Sequence, residues 1–211
     1  LRYRWTIGNE HNYEIKISAG EGDNVYKVEG TLNYNVRDNV GRGRNREILG
    51  TGFVVAEGGL IATSSRLVND ATDIEVIIDG QHYPAALLAT DKRAEIALLR
   101  INAESLTPLR LQNSDTVKPA DTLRVIGFGH DDGPETLPVP GQMRVSDIVN
   151  DYQFGRWIEM SAPFNKGFRG GPVMNRADQV IGMAGARRVV TDAGLIGCVN
   201  PAEPLRALMS S

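Results

Sequence analysis

Short strand-like runs separated by turn residues are the feature that most constrains the fold of this 211-residue chain. From residue 49 onward they recur at spacings of roughly 8–12 residues, which is typical of β-sandwiches and β-barrels. The predicted strands are residues 52–56, 60–63, 73–78, 83–89, 95–101, 122–127, 142–148, 156–161, 171–175, 179–184 and 195–199. The 23 Gly and 10 Pro residues agree with many turns and few long helices. The chain is therefore predicted to be all-β.

The N-terminal part of the chain adds further strands to this set. Residues 11–17 and 25–36 alternate polar and apolar side chains, as strands with one face in water do. Residues 19–24 between them are typical of a hairpin turn. The small, basic stretch 41–46 is interpreted as a solvated linker, with a nucleic-acid or membrane arm as the alternative.

The C-terminal part is predicted to end in one short helix. Asn200 is a good N-cap residue, and Pro201 suits the first helical position. An apolar stripe follows at helical spacing, formed by Leu205, Leu208 and Met209.

Composition excludes several classes of protein. Apolar residues make up 41% of the chain and charged residues 23%, so a disordered chain is not expected. No apolar run reaches the roughly 18 residues that a membrane span needs. The net charge of −3 argues against a nucleic-acid binder driven by phosphate attraction. The chain starts at Leu1 without Met or a charged-then-apolar leader, and we expect a mature fragment or an excised piece.

No cofactor and no metal ion are expected. Cys198 is the only cysteine, which excludes an internal disulfide and a cysteine-based zinc site, and its apolar surroundings indicate a buried thiol. The best metal-ligating candidate is His130 with Asp131 and Asp132. One His and two adjacent Asp residues on a loop are a weak signal for a metal site.

Three segments in order carry a resemblance to a known family. Residues 50–55, Gly-Thr-Gly-Phe-Val-Val, with residues 59–68, Gly-Leu-Ile-Ala-Thr-Ser-Ser-Arg-Leu-Val, form the first. Residues 91–101, Asp-Lys-Arg-Ala-Glu-Ile-Ala-Leu-Leu-Arg-Ile, are the second, and residues 164–173, Phe-Asn-Lys-Gly-Phe-Arg-Gly-Gly-Pro-Val, are the third. Together they resemble chymotrypsin-fold serine proteases of the HtrA/Deg type over roughly residues 48–206. The resemblance implies two packed antiparallel β-barrels with a cleft between them.

The resemblance also identifies the positions of the catalytic triad. Arg66 stands where the family has its His base, Glu95 where it has the orienting Asp, and Arg169 where it has the nucleophilic Ser. Arg neither accepts a proton at working pH nor attacks a carbonyl carbon, so this triad cannot work as aligned. The leading interpretation is therefore a pseudoprotease, a trypsin-like domain that binds peptides or proteins without cutting them.

Two alternatives remain beside the pseudoprotease. One is an active serine protease with a displaced triad, and the other is a purely structural domain of a larger protein. The candidate residues for a displaced triad are Ser64, Ser65, Ser161, His11, His82 and His130.

The resemblance implies a degenerate oxyanion-hole turn and a peptide-binding edge. The turn comprises Gly167, Phe168 and Arg169, whose backbone amides would face an anion. Residues 182–186 resemble the edge strand on which the family lays its substrate. The candidate peptide- or anion-binding residues are Arg66, Arg169, Gly182, Ala184 and Arg187, with Lys166 and Arg188 adding positive charge. We expect an Arg66–Glu95 ion pair, with an Arg66–Glu95–Arg169 ladder as the alternative. The partner is expected to be a peptide or protein, and the cleft to favour an anion, either a sulfate or phosphate ion or an acidic peptide segment.

The predicted organisation has three parts. Residues 1–46 form an N-terminal strand extension and linker that associates with the first barrel. Residues 47–119 form the first barrel, and residues 120–211 form the second barrel with the C-terminal helix. The family resemblance alone implies an extracytoplasmic location, periplasmic or secreted.

Overall fold

The computed structural model describes twelve stretches of the chain. These are residues 15–18, 23–26, 31–37, 45–69, 71, 73–78, 81–103, 106–128, 138–151, 155–164, 166–191 and 194–211. Their strands are β1 (Ile15–Ser18), β2 (Asp23–Tyr26), β3 (Thr31–Arg37), β4 (Asn45–Ala56), β5 (Leu60–Ser64), β6 (Asp73–Ile78), β7 (Gln81–Asp91), β8 (Ile96–Ile101), β9 (Thr122–Phe128), β10 (Pro138–Asp151), β11 (Gly155–Met160), β12 (Pro172–Met174), β13 (Val180–Thr191) and β14 (Gly194–Pro201). The helices are α1 (Ser65–Val68) and α2 (Ala202–Met209).

Twelve of these strands form two closed antiparallel barrels of six strands each. The first barrel has the order β3-β4-β5-β8-β7-β6, and the second has the order β10-β11-β14-β13-β12-β9. β1 and β2 pair as a separate antiparallel sheet, in which Ser18 lies opposite Asp23. The predicted all-β, two-barrel architecture is confirmed. β1 and β2 pair antiparallel, as the predicted hairpin requires, but residues 23 and 24 of the predicted turn belong to β2, and residues 19–22 lie outside the described stretches.

The first barrel begins earlier than the sequence predicted. β3 lies inside the closed sheet, because Leu32 pairs with Gly50 of β4 on one side and with Val76 of β6 on the other. The expected association of the N-terminal strands with the first barrel holds for β3. The boundary at residues 46/47 does not hold, since β3 and the start of β4 complete the barrel. Within the predicted linker, residues 45 and 46 belong to β4, and residues 41–44 lie outside the described stretches.

Successive side chains along the central strands of the first barrel pack alternately into two different apolar clusters. On β4, Val54 packs into the interior of the first barrel, whereas Phe53 and Val55 pack into a second cluster. That second cluster also contains Met174 and Met183 from the other barrel, so it joins the two barrels. Because successive side chains of a strand point to opposite faces, a strand buried on both faces has a continuous apolar run. The two barrels therefore share one continuous apolar interface.

The C-terminal helix α2 closes this interface from one end. Leu205 is buried in the shared cluster, and Glu203 accepts hydrogen bonds from the backbone N–H (2.8 Å) and the hydroxyl of Ser114, in the segment between the barrels. The short C-terminal helix is confirmed, but the predicted N-cap is wrong. The cap residue is Pro201, whereas Asn200 still belongs to β14 and pairs with Met183. Strand pairing extends further than the local capping signal indicated.

Candidate functional site

Arg66 is presented by the short helix that follows β5. The apolar residues beside it, Leu67 and Val68, are buried and fix α1 against the first barrel. The Arg66 side chain is 57% exposed and so faces solvent. The sequence thus places one cation on the only exposed position of a buried turn of helix.

Glu95 lies in the turn that leads into β8 and is joined to α1 twice. Its Oε1 accepts a hydrogen bond from Arg66 Nε at 2.8 Å, and its carbonyl oxygen accepts one from the Ser65 N–H at 3.0 Å. The Glu95 side chain is only 3% exposed, and its backbone has φ = +57°, a value that is uncommon for a residue other than glycine. The predicted Arg–carboxylate pair is therefore present, with its carboxylate buried and its guanidinium at the surface.

The turn before β12 brings Arg169 to the same place. Gly170 has φ = +83°, and a Cβ atom on it would lie 2.9 Å from the Ser64 N and 2.3 Å from the Thr51 carbonyl oxygen. Only glycine permits so close an approach of two backbones with this φ. Because Ser64 directly precedes α1, Arg169 lies beside the junction that carries Arg66 and Glu95. The three positions predicted to share a cleft therefore converge.

Thr51 on β4 holds this turn from the other barrel and was not singled out by the sequence. The Thr51 N–H donates to the Arg169 carbonyl at 2.9 Å, and its hydroxyl donates to the Gly167 carbonyl at 2.6 Å. Thr51 is fully buried, and its own carbonyl accepts a hydrogen bond from the Thr63 hydroxyl at 2.8 Å. The sequence signal that could have identified Thr51 is its position between two glycines, Gly50 and Gly52, at the start of an apolar run.

The carbonyl groups of the turn point into the protein. Those of Gly167 and Arg169 bond to Thr51, and that of Phe168 accepts from the Gly171 N–H at 2.9 Å. The described residues contain no cis peptide bond, and in a trans peptide the N–H points away from the preceding carbonyl. The N–H groups of Phe168 and Arg169 are therefore directed away from Thr51 and Gly171.

Two phenylalanines line the turn on the side of the second barrel. Phe168 is 7% exposed, and its ring packs where a side chain on Gly127 would lie, 2.8 Å from that Cβ position. The ring of Phe164 covers Gly197 of β14 in the same way, at 2.9 Å. Both rings pack against the core of the second barrel. The two rings thus form part of the packed interior of the second barrel.

Strand β13 passes behind the turn, and only part of it can bind a peptide. Gly182 pairs with Val173 of β12 and with Pro201 of β14. The Ala184 N–H donates to Gly171 and its carbonyl accepts from Gly170, both at 2.8 Å, while β14 pairs along its other edge. The prediction that Gly182 and Ala184 bind a peptide is therefore wrong, because both edges of the strand are already occupied there.

The open edge of β13 begins after Ala184. The pairing with β12 ends at Met183, and in the described residues no other strand continues along that edge between residues 185 and 191. The pairing with β14 also shifts between Ala184 and Arg188, which indicates a bulge. Arg187 lies within this stretch, so this predicted position remains available at the strand edge.

The candidates for a displaced triad do not form one. Ser64 and Ser65 lie at the junction before α1, but both are buried, and among the described residues the Ser64 hydroxyl has no hydrogen-bond partner. Ser161 is exposed at the end of β11, where its N–H donates to the Arg144 carbonyl at 2.8 Å. The exposed His82 ring lies on β7 with its Nδ1 2.8 Å from Glu75 Oε2. His11 and the segment of residues 130–132 lie outside the described stretches.

Two further properties concern the described stretches alone. They contain no group of three or more His, Cys, Asp or Glu side chains that could hold a metal ion. Neither of their helices is long and apolar enough to cross a membrane.

Comparison with known proteins agrees with this geometry. The family profile described as "Trypsin-like peptidase domain" matches residues 50–183. A probable periplasmic serine endoprotease DegP-like from Pseudomonas fulva is 33% identical over 146 residues, which are 68% of this chain and 30% of that protein. Its counterpart from Pseudomonas fluorescens is 30% identical over 171 residues, which are 80% of this chain and 35% of that protein. The chain spans about a third of the length of these relatives.

A solved structure shares the fold. The HtrA-type protease AlgW, solved with a tripeptide, superposes with a TM-score of 0.72 at 21% identity, covering 87% of this chain and 59% of that one. The profile match covers more than half of the chain and includes β5, α1 and the turn that carries Arg169. This chain belongs to the trypsin-like peptidase family and is similar to its HtrA/DegP-like members.

Proposed function

We propose that this chain is a catalytically inactive, trypsin-like domain of the HtrA type that binds peptides or proteins without cutting them. The observation that carries the proposal is the Arg66–Glu95 contact. At the position that the family gives to its base, a guanidinium and not an imidazole lies 2.8 Å from the buried carboxylate.

The chemistry of the three side chains supports the loss of hydrolysis. Acyl transfer by this family needs a hydroxyl to attack, a neutral base to take its proton and an acid to orient that base. Arg66 is a permanent cation and cannot take the proton. Arg169 has no hydroxyl or thiol to attack a carbonyl. Glu95 retains the character of the acid, but it orients an arginine.

The backbone supports a binding role. Among the described residues, no strand pairs with the edge of β13 from residue 185 onward, and an extended segment can add to this edge as a further strand. The related protease AlgW was solved with a tripeptide. Binding by strand addition uses main-chain groups and needs none of the triad chemistry. Because the DegP-like relatives are named periplasmic, we also propose an extracytoplasmic location for this chain.

The test is an activity assay combined with covalent labelling. The purified chain is incubated with casein, with fluorogenic peptides and with a fluorophosphonate probe, and an active serine protease serves as the positive control. We expect no cleavage and no labelled serine, because loss of triad members leaves only residual catalysis of about 10³–10⁴-fold over water. Stoichiometric labelling of any serine would refute the proposal.

A gain-of-function variant gives a second arm. Arg66→His, Glu95→Asp and Arg169→Ser together restore the residue types of the family's triad. Cleavage by this triple variant, with none by the parent chain, would show that the three substitutions are what removed activity.

A further inference from the structure

We infer that Arg66 binds main-chain carbonyl groups of the segment that adds to β13, and so holds that segment from the edge that faces away from β13. The inference rests on the proposed function and names a residue of the first barrel that contacts the ligand. It follows from the donors of Arg66, from its fixed orientation, from its place in the fold and from the hydrogen-bonding pattern of an added strand.

Arg66 has donors left after its pairing with Glu95. Among the described residues, its side chain is hydrogen-bonded only to Glu95 Oε1, through Nε at 2.8 Å. The side chain is 57% exposed, so a ligand has access to it. A guanidinium carries its N–H donors in a planar fork, and most of them belong to the two Nη groups. Arg66 therefore keeps most of its donors for a bound segment.

Glu95 fixes the direction of this fork. The Glu95 side chain is 3% exposed, and its backbone carbonyl accepts a hydrogen bond from the Ser65 N–H at 3.0 Å. Both residues of the ion pair are thus anchored in the first barrel. An arginine that is oriented before the ligand arrives loses less conformational entropy on binding than a free surface arginine.

The ion pair is neutral as a unit, which bears on the kind of group that it binds. The charge of the Arg66 guanidinium is offset by the Glu95 carboxylate 2.8 Å away. What the pair offers a ligand is directed N–H donors without net charge. A peptide carbonyl needs a donor and no countercharge, and its hydrogen bond to a guanidinium is stronger than one between two neutral groups. A main-chain carbonyl, which every segment has, therefore suits this pair.

A short series of backbone contacts places Arg66 beside the start of the β13 edge. The Ala184 carbonyl accepts a hydrogen bond from the Gly170 N–H at 2.8 Å. A Cβ atom on Gly170 would lie 2.9 Å from the Ser64 N, and Ser64 directly precedes α1, which carries Arg66. A strand that begins beside residue 185 therefore begins next to α1 of the first barrel.

An added strand has one edge that β13 cannot satisfy. In an antiparallel pair, the N–H and C=O groups of alternate residues point to the partner strand, and those of the residues between them point away from it. Among the described residues, no further strand lies along the edge of β13 at residues 185–191. The outward carbonyl groups of the added strand therefore need donors from elsewhere. Arg66 provides them at the end of the strand that lies next to α1.

The experiment uses a fluorescent seven-residue peptide of alternating Thr and Gln, which is uncharged and rich in a residue that favours the extended state. A set of thioamide peptides replaces one carbonyl oxygen at a time by sulfur, which weakens that acceptor and keeps the N–H. Anisotropy titrations with the whole chain give the Kd of each peptide. We expect sulfur at one outward carbonyl to weaken binding by about five-fold.

Two variants that preserve every charge locate the contact. Arg66→Lys keeps a cation beside Glu95, but its single nitrogen pairs with that carboxylate and forms no fork. We expect Arg66→Lys to bind the all-amide peptide about ten-fold more weakly than the parent chain does. In this variant, sulfur at the outward carbonyl should have no further effect, whereas sulfur at carbonyls that face β13 should act as before.

The matched control is Arg176→Lys. Arg176 is exposed in the turn between β12 and β13, at the end of β12 away from Gly170. This variant should bind every peptide like the parent chain. An equal loss of affinity in Arg66→Lys and Arg176→Lys would overturn the inference, since it would show that the effect does not depend on the place of Arg66.

Peptides with Glu or with Lys in place of Gln separate a main-chain contact from a charge effect. Because the contact is with the main chain, we expect Arg66→Lys to lose about the same factor in affinity for all three peptides. That factor should change little between low and physiological salt. A loss confined to the Glu peptide would overturn the inference, since it would indicate that Arg66 binds a side-chain carboxylate.

The remaining outcomes separate this inference from the proposed function. Equal affinities, or an identical thioamide pattern, in the parent chain and Arg66→Lys would refute the contact and leave the non-cutting binding module intact. Absence of binding by every peptide would refute the inference and the binding half of the proposed function together. Mass spectrometry of the same samples reports cleavage, and cleavage of any peptide would refute the inactive assignment whatever the affinities are.

Discussion

The Thr51 hydroxyl on the first barrel donates a 2.6 Å hydrogen bond to the Gly167 carbonyl on the second. It also accepts a hydrogen bond from the Phe128 N–H at 3.3 Å, so one buried side chain connects β4, the turn before β12 and β9. The conformation of the turn therefore depends on a residue of the opposite barrel.

Thr51→Val is expected to lower the free energy of unfolding by about 1–3 kcal/mol. The substitution keeps the shape of the side chain but leaves the buried Gly167 carbonyl without its donor. Urea unfolding followed by tryptophan fluorescence measures the change. Thr51→Ser is the control, because it keeps the hydroxyl and loses one methyl group, which costs about 1 kcal/mol. A Val variant as stable as the Ser variant would contradict the role assigned to the hydroxyl.

Two glycines with the same backbone conformation are expected to differ sharply in how well they tolerate substitution by alanine. Gly170 and Gly155 have φ of +83° and +82°, but a Cβ on Gly170 meets the Thr51 carbonyl at 2.3 Å, whereas one on Gly155 meets nothing within 4 Å. Gly155→Ala should cost about 1–2 kcal/mol for the left-handed conformation alone. Gly170→Ala should cost about 1–3 kcal/mol more, because the two backbones must also separate. Equal urea midpoints for the two variants would show that space around Gly170 is unimportant.

Substitution of Arg66 is expected to lower the free energy of unfolding more than substitution of Glu95. Arg66→Gln takes the cation away from a carboxylate that is 3% exposed, and we expect a loss of about 1–2 kcal/mol, reduced because water reaches the arginine. Glu95→Gln leaves a solvated arginine and should cost less than about 1 kcal/mol. A double-mutant cycle by chemical denaturation measures the coupling of the two residues. Additive effects of the single changes would mean that the contact contributes nothing.

The attachment of α2 is expected to depend on Glu203. Its carboxylate accepts hydrogen bonds from the backbone and hydroxyl of Ser114, and Ser114 also accepts from Arg156. Glu203→Ala should lower the free energy of unfolding by about 1–3 kcal/mol and speed hydrogen exchange of the α2 amides. Glu57→Ala, in an exposed turn of the first barrel, removes the same charge and should leave α2 exchange unchanged. If α2 exchanges at its original rate in Glu203→Ala, the helix is held by its apolar contacts alone.

Local patterns explain why the strands and their grouping into two barrels were predictable. Continuous apolar runs such as residues 96–99 mark strands buried on both faces, and Ile96 and Leu98 do pack in one cluster while Ala97 and Leu99 pack in the other. These strands depend on the chemistry of neighbouring residues in the chain. The ion pair at the site, between residues 29 positions apart, was predictable only from the family resemblance, which implied that Arg66 and Glu95 share one cleft.

The features that sequence did not predict depend on contacts distant in the chain. The alternation in β3 indicated a strand but not its two partners, and the signal at Asn200 was a local preference that strand pairing overrode. Thr51 and Gly167 are 116 positions apart, and no pattern in either segment indicates that they form a hydrogen bond. The occupied edges of Ala184 likewise follow from the fold of Gly170 and Gly171 around it.

The short β12 has a consequence for any ligand that adds to β13. Because β12 already occupies the first part of that edge, an added strand lies end to end with β12 and cannot slide past Gly171. Among the described residues the stretch without a partner on this edge is residues 185–191, which would span about 20 Å as a regular strand at roughly 3.3 Å per residue. The end of β12 therefore fixes where an added strand can begin and in which register it pairs with β13. The length of the stretch limits how many residues of a partner can pair.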